Sequence, residues 1–240
     1  MIYNLYCDYG LGQSLIFLNY LRRVVLATPV RRQYCIAVRA QWLRALREVT
    51  QGLSGVTLIS LGDAVPRSMR IELPTVGGRE LVAALAAFSH TLELPAPVQT
   101  CADLWLEYPA LHQPTPLSGP LQGFIANPPK DAPDLTPLLK KLVGRYRLVT
   151  THRSGLPIPC AADYGLTPGQ IGNVANGAAW HLLGGGEECW PTFNVNSRDK
   201  LRFMVPALAW SVFEPPSGNN TRICMDVAGL TQVMATEGVL

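Results

Sequence analysis

Asp8, Gly10, Gly12 and Gln13 bring a carboxylate, two glycines and an amide into one short run, Tyr6-Cys7-Asp8-Tyr9-Gly10-Leu11-Gly12-Gln13-Ser14-Leu15. Glycines in such a run can adopt backbone angles closed to other residues and leave room for a ligand against the main chain. The apolar stretch 2–6 ahead of it reads as a strand, and 15–26 behind it reads as a buried helix. The run is therefore a strand-to-helix turn, where N–H groups at the helix start favour an anion. Two spaced glycines also occur where a helix only packs tightly on a strand, so that reading stands beside the functional one. On the residues alone, Asp8 can accept N–H bonds from the turn and hold the glycines in place.

The elements around this turn follow a strand-helix grammar. Residues 34–38 form a second apolar strand, and 41–50 carry Trp42, Leu43, Leu46 and Val49 at helical spacing. Leu53-Ser54-Gly55 breaks that pattern, and 56–61 is a third strand. This is half of a doubly wound sheet, whose ligand crevice lies beyond the carboxyl ends of the strands, where Gly10 and Gly12 sit. Residues 70–73 read as a short strand and 78–92 as a helix with Leu81, Ala84, Leu85 and Phe88 on one face. Pro95, Pro97, Pro109, Pro114, Pro116 and Pro120 then mark a linker, with a boundary near Gly119.

The grammar restarts after the boundary. Strand 121–126 ends at Asn127-Pro128-Pro129-Lys130, helix 135–143 follows, and strand 146–151 ends at His152-Arg153-Ser154-Gly155. Thr167 caps a helix with Pro168 at its first position, running to about residue 176. Residues 181–186 lead into Glu187-Glu188-Cys189-Trp190-Pro191, 203–210 have a strand-like core, and the stretch 222–240 contains one more helix. The expected fold class is α/β, with an N-terminal lobe over 1–118 and a C-terminal lobe over 119–240.

Composition narrows the function classes. A chain of 240 residues that is 48% hydrophobic buries a large core. Its net charge of +3 is too mild for a nucleic-acid-binding face. Six cysteines, Cys7, Cys35, Cys101, Cys160, Cys189 and Cys224, show no C-x-x-C pair, so neither a metal site nor a disulfide framework is expected. Reduced thiols in a cytoplasmic protein are the natural reading. Arg22-Arg23 interrupt the longest apolar run, which falls short of a membrane span, and no secretory signal is visible.

Two consecutive α/β halves joined by a proline-rich stretch resemble the GT-B class of nucleotide-sugar glycosyltransferases, and in particular the lipopolysaccharide heptosyltransferase family. The strand, glycine turn and apolar helix of that family are similar to 2–25 here, and its next helix and strand to 42–61. Residues 80–109 resemble the end of its first lobe, and 167–175 followed by 184–192 resemble the helix and glycine loop that hold the donor nucleotide. The resemblance implies two Rossmann-like lobes with a cleft between them, the second lobe trimmed at this chain length. It implies a sugar transferase with a nucleotide-sugar as donor substrate and no separate cofactor. The acceptor hydroxyl would face Gly10 and Gly12; a saccharide, a protein and a modified nucleic-acid base all remain open, as does the oligomeric state.

In that picture Lys130, Arg153 and the backbone N–H groups of Gly184, Gly185 and Gly186 stabilise the leaving diphosphate, with Thr167 nearby. The bland reading of both cations is solvated loop charge. Glu187 and Glu188 bind ribose or sugar hydroxyls, or are simply exposed. Trp190 stacks on a base or sugar, or is a structural tryptophan, and Thr192 closes the same loop. His181 is either a polar contact of the donor lobe or a core histidine. The family pattern places an aspartate directly after the glycine turn as general base; here that position is Gln13, an amide that cannot accept the proton, and Asp8 is the nearest carboxylate.

Two other readings compete. Asp8-x-Gly10-x-Gly12, Gly62-Asp63-Ala64 and Asn127-Pro128-Pro129 also resemble S-adenosylmethionine-dependent methyltransferases. Against that class, Val38-Arg39 stands where the ribose-binding acid should end the second strand, Asn127 is far from Asp63, and Lys130 replaces an aromatic. The last reading is an α/β binding module without chemistry.

Overall fold

The computed structural model describes residues 2–28, 32–74, 78–107, 122–126, 135–150, 161–162, 167–184, 187–205 and 220–240; side chains at 161, 162, 187 and 188 are outside the description. The described residues form two compact units, one up to residue 107 and one from residue 122 on.

The first unit holds β1 (Ile2–Cys7), α1 (Leu11–Ala27), β2 (Gln33–Val38), α2 (Leu43–Val49), β3 (Val56–Ser60), β4 (Met69–Arg70) and α3 (Gly78–Thr91). Its four strands are parallel in the order β3-β2-β1-β4. Register is fixed along the whole of β1, from Ile2 opposite Gln33 to Cys7 opposite Val38. Gly55 sets the entry to β3: its φ of +86° suits glycine, and a Cβ there would lie 2.6 Å from the Arg32 carbonyl oxygen.

Helix α1 starts at Leu11, four residues earlier than the apolar run predicts, and residues 11–21 are buried on every face. A helix apolar all round belongs in the middle of a core. Helix α3 buries Leu81, Leu85 and Phe88, one stripe at helical spacing. The Phe88 ring meets Phe17 and Tyr20 of α1 edge-on, at 5.4 and 5.9 Å between centroids, and the Tyr20 hydroxyl is 2.6 Å from Ser89 Oγ.

The stretch beginning at Pro95 was expected to be linker, yet its described part belongs to the first unit. Thr100 and Asp103 form a capping box on a short 3-10 turn (Cys101–Leu104), and Leu104, Trp105 and Leu106 are buried. Buried Asn19 of α1 donates to the Trp105 carbonyl at 3.0 Å and accepts from Glu107 N at 2.8 Å. Arg23 adds an ion pair to Glu107 at 2.8 Å. The boundary expected near Gly119 lies outside the described residues.

The second unit holds β5 (Gln122–Ala126), α4 (Thr136–Val143), β6 (Arg147–Thr150), β7 (Ala161–Ala162), α5 (Pro168–Gly177), β8 (Trp180–Leu183), β9 (Leu201–Met204), β10 (Thr221–Ile223) and α6 (Val227–Thr236). All six strands are parallel, in the order β10-β9-β8-β5-β6-β7. Leu138, Leu139 and Leu142 of α4 and Leu230 and Met234 of α6 join one core cluster with Ile125, Leu182 and Phe203. Strand β9 begins at Leu201, two residues ahead of the expected stretch; β7 and β10 are too short for a periodic signal. Among the described residues no helix is long and apolar enough to cross a membrane. Among the described residues Cys7, Cys189 and Cys224 are buried and Cys35 and Cys101 half-buried, none of them in a disulfide, and Cys160 lies outside the described residues.

Candidate active site

In a doubly wound sheet a ligand crevice opens where successive connections diverge to opposite sides. In the first sheet the chain moves outward from β1 through β2 to β3, then returns to β4 on the other side of β1. The switch point is therefore at β1, at the carboxyl end that carries Asp8. In the second sheet the chain moves from β5 through β6 to β7 and returns to β8 on the other flank of β5. That switch point lies between the ends of β5 and β8, Ala126 and Leu183.

Asp8 and Arg39 directly follow Cys7 and Val38, which are register partners. The parallel pairing thus sets the two charges side by side at the sheet edge, and Arg39 Nε donates to Asp8 Oδ1 at 2.7 Å. Both side chains remain accessible, 37% for Asp8 and 44% for Arg39. Asp8 Oδ2 has no partner among the described residues. The sequence reading noticed Arg39 only as a missing acid; its pairing with Asp8 is what the strand register adds.

Gly10 is the N-cap of α1 with φ −70° and ψ 179°, ordinary extended backbone, so the left-handed freedom expected of it is not in use. Gly12 sits buried inside the first turn. Among the described residues no side chain caps α1, and its first turn, at the same edge as Asp8, holds no acid. Gln13 is buried, and its Nε2 donates to the Pro74 carbonyl at 2.8 Å. This bond ties the first turn of α1 to the chain at Pro74. Tyr9, which the sequence reading passed over, completes the fastening: its hydroxyl donates to the Ile71 carbonyl and accepts from Leu73 N at 2.7 Å. Cys7 faces Ser14 Oγ at 3.9 Å, and burial pushes its thiol up to about 12, so it is no nucleophile.

At the second switch point, Gly184 N donates to the Ala126 carbonyl at 2.8 Å and Cys189 Sγ to the Gly184 carbonyl at 3.2 Å. The segments after β5 and β8, together with the one after β6 that carries Arg153, are the ones expected to hold a diphosphate. Of their residues, Lys130, Arg153, Gly185 and Gly186 lie outside the described residues. Glu187 and Glu188 open a 3-10 turn (Glu187–Thr192). Thr167 is the N-cap of α5 in a reciprocal capping box: its backbone N–H donates to Gln170 Oε1 at 2.9 Å, and its hydroxyl accepts from Gln170 N at 3.4 Å. Trp190 is 5% exposed and packs at 5.7 Å from Phe193. Thr192 is fully buried with its hydroxyl donating to the Cys189 carbonyl at 2.6 Å. These two side chains hold the loop from inside, a placement set by apolar burial and a local hydrogen bond that spacing alone does not reveal.

His181 is the core histidine of its two readings. It is fully buried in β8, with Nε2 2.6 Å from the Ala175 carbonyl and its ring edge-on to Phe124. Burial, reinforced by the nearby Arg202 charge, lowers it to about 3, so it stays neutral. Arg202, absent from the sequence reading, is fully buried beside it in β9. Its guanidinium donates to the carbonyls of Lys200 at 2.8 Å and Ser197, to Ser197 Oγ at 2.8 Å and to the Thr192 carbonyl at 3.5 Å, and lies over the Phe193 ring. Burial brings it down to about 10, still charged at neutral pH. Arg202 is thus the internal clasp of the chain between β8 and β9.

The sequence matches no family model and no curated relative. Among solved structures it is similar to the dodecameric iron-containing heptosyltransferase TibC of enterotoxigenic E. coli H10407, in complex with ADP-D-beta-D-heptose. That likeness has a TM-score of 0.59 at 12% identity and covers 90% of this chain but 62% of TibC. E. coli ADP-heptose lps heptosyltransferase II matches with a TM-score of 0.54 at 10% identity, over 98% of each chain. E. coli heptosyltransferase WaaC with ADP matches at 0.51 and 12% identity, over 99% of this chain and 98% of that one. At such low identity the likeness speaks for the backbone, and on it this chain has the two-sheet α/β fold of the GT-B-like heptosyltransferases.

Proposed function

We propose that this protein is a glycosyltransferase that moves a sugar from a nucleotide-sugar donor to a hydroxyl acceptor, with Asp8 as general base. The observation that carries the reading is the Asp8 carboxylate at the switch point of the first sheet, one oxygen held by Arg39 and the other without a partner among the described residues. The fold likeness supports it, since the solved relatives are heptosyltransferases with ADP or ADP-heptose bound.

In the proposed step the acceptor O–H gives its proton to Asp8 Oδ2 as its oxygen forms a bond to the anomeric carbon of the donor. The bond from that carbon to the diphosphate breaks, and its electron pair leaves with the nucleoside diphosphate. Lys130, Arg153 and the N–H groups at Gly185 and Gly186 are proposed to receive that charge, with Glu187 and Glu188 on sugar hydroxyls and Thr167 presenting the start of α5. The buried Trp190 and Thr192 take a supporting part, fixing the loop. A nucleotide-sugar is then the donor substrate, and the acceptor is a hydroxyl compound that reaches the N-terminal end of α1.

The test is release of nucleoside diphosphate from ADP-heptose and other nucleotide sugars, read for wild type and Asp8→Asn. Asp8→Asn is expected to lower turnover by about 10²-fold or more while donor binding and folding persist. A turn brace would instead lose thermal stability and keep its turnover per folded molecule. A thermal-shift screen separates the classes, because a ligand at a hundred times its dissociation constant stabilises by about 2.7 kcal/mol. Stabilisation by S-adenosylmethionine alone would overturn the proposal.

A further inference from the structure

We infer that Arg39 is a positioning residue for sugar transfer, holding Asp8 Oδ1 so that Oδ2 is the oxygen offered to the acceptor; this rests on the reading of Asp8 as base. Three features of the fold carry it. The register of β1 and β2 ends with Cys7 opposite Val38, so the next residue on each strand is delivered to the same edge without any loop between them. Arg39 Nε then meets Asp8 Oδ1 at 2.7 Å, and the same guanidinium reaches back through Nη2 to the Asp8 main-chain carbonyl at 3.5 Å. Two contacts from one planar group to the side chain and backbone of one residue restrain both the position and the rotation of the carboxylate.

The chemistry needs that restraint. Asp8 stands on the three-residue connection between β1 and α1, and its side chain is more than a third exposed, so packing does not choose its rotamer. A base must present one lone pair within hydrogen-bond reach of the hydroxyl in the reacting pose, and a displacement on the order of 1 Å costs about 10²-fold in rate. Arg39 is itself placed by β2 and by the short 3-10 turn (Ala40–Trp42) that follows it, where Trp42 N donates to the Arg39 carbonyl at 2.9 Å. The positioning residue thus comes from a regular element, while the base comes from the connection it steadies.

The test is a double-mutant cycle on Asp8→Asn and Arg39→Gln, with Arg39→Lys as the conservative variant and ADP release from ADP-heptose as readout. If Arg39 acts through Asp8, Arg39→Gln lowers kcat by about 10- to 100-fold with the donor KM within about twofold. Arg39→Lys recovers part of that loss, and Arg39→Gln has no further effect once Asp8 is Asn. An equal loss in both backgrounds, or a change in KM alone, would mean that Arg39 touches donor or acceptor directly and would overturn the inference. Urea unfolding of the same four proteins is the second readout, independent of activity. Coupling between the two sites should amount to roughly 1.5- to 5-fold in the unfolding constant, the range of accessible ion pairs. Absence of that coupling overturns the inference whatever the activity. Absence of ADP release from wild type with coupling intact instead counts against the transfer reading, while the pair itself stands.

Discussion

The Gln13 side chain donates to the Pro74 carbonyl at 2.8 Å, which ties the first turn of α1 to the chain that leaves β4. This single contact gives the buried amide a structural role. An aspartate there, one methylene shorter and without a donor, would lose the bond to Pro74 and leave a polar group unmatched in a site that is 7% exposed. Gln13→Asp is accordingly expected to lower stability by about 1–3 kcal/mol in urea unfolding, the usual cost of an unmatched buried polar group. It should not raise turnover. Raised turnover at unchanged stability would return the base to position 13.

Tyr9 secures the same segment by two further bonds, to the Ile71 carbonyl and from Leu73 N. Tyr9→Phe removes both while keeping the ring. Amide exchange at Leu73 should then rise well above that of Leu5 and Ile36 in the neighbouring strands, with a global loss of about 1–2 kcal/mol. Equal exchange at all three would show that β4, only two residues long, holds the segment unaided.

Much of the fold was legible because its strands and helices carry apolar periods long enough to see, as in α3 with Leu81, Leu85 and Phe88. The cap and first residue of α5, Thr167 and Pro168, were also legible, since capping chemistry is local. The strands β7 and β10 were not, because two or three residues hold no period. The site was legible only as far as local chemistry reaches. Asp8 announced itself as a carboxylate in a turn, but its bond to Arg39 depends on strand register across 31 residues. Trp190 is a similar case: an aromatic in a glycine-rich run reads equally as a stacking surface or as core, and its burial against Phe193 depends on packing that spacing does not carry. Arg202 was the hardest, because a lone arginine in an apolar strand gives no sign that five backbone and hydroxyl contacts will surround it.

Gly123 offers a test of the second sheet. It lies opposite Trp180 in the β5–β8 pairing, and a Cβ at this position would come within 2.2 Å of the indole. The ring is 1% exposed and packed edge-on against Tyr146, so it has no open space to swing into. Gly123→Ala should therefore destabilise by about 1–3 kcal/mol or more in urea unfolding, the range for overpacked cores. In a Trp180→Leu background the same change should be close to neutral, because the clashing atoms are gone. Equal effects in the two backgrounds would place the strain elsewhere.

His181 should make the protein sensitive to mild acid. Its Nε2 donates to the Ala175 carbonyl, which fixes the neutral tautomer, and Nδ1 is buried without a partner among the described residues. A second proton on Nδ1 would place a buried positive charge near Arg202, and the folded value accordingly falls from the ordinary 6.5 to about 3. Between those two values the unfolded chain binds a proton that the folded chain refuses, so stability falls as pH is lowered through this window and is fully retained above it. The limiting slope from one such group is about 1.4 kcal/mol per pH unit. Urea unfolding of wild type and His181→Phe at pH 7.0, 6.0, 5.0 and 4.5 measures it by difference, since the carboxylates that also titrate near the acid end are common to both proteins. His181→Phe should start less stable at neutral pH, having lost the bond to Ala175, and the gap should close as the pH falls. Parallel curves would show that His181 takes up its proton in the folded state as readily as in the unfolded one.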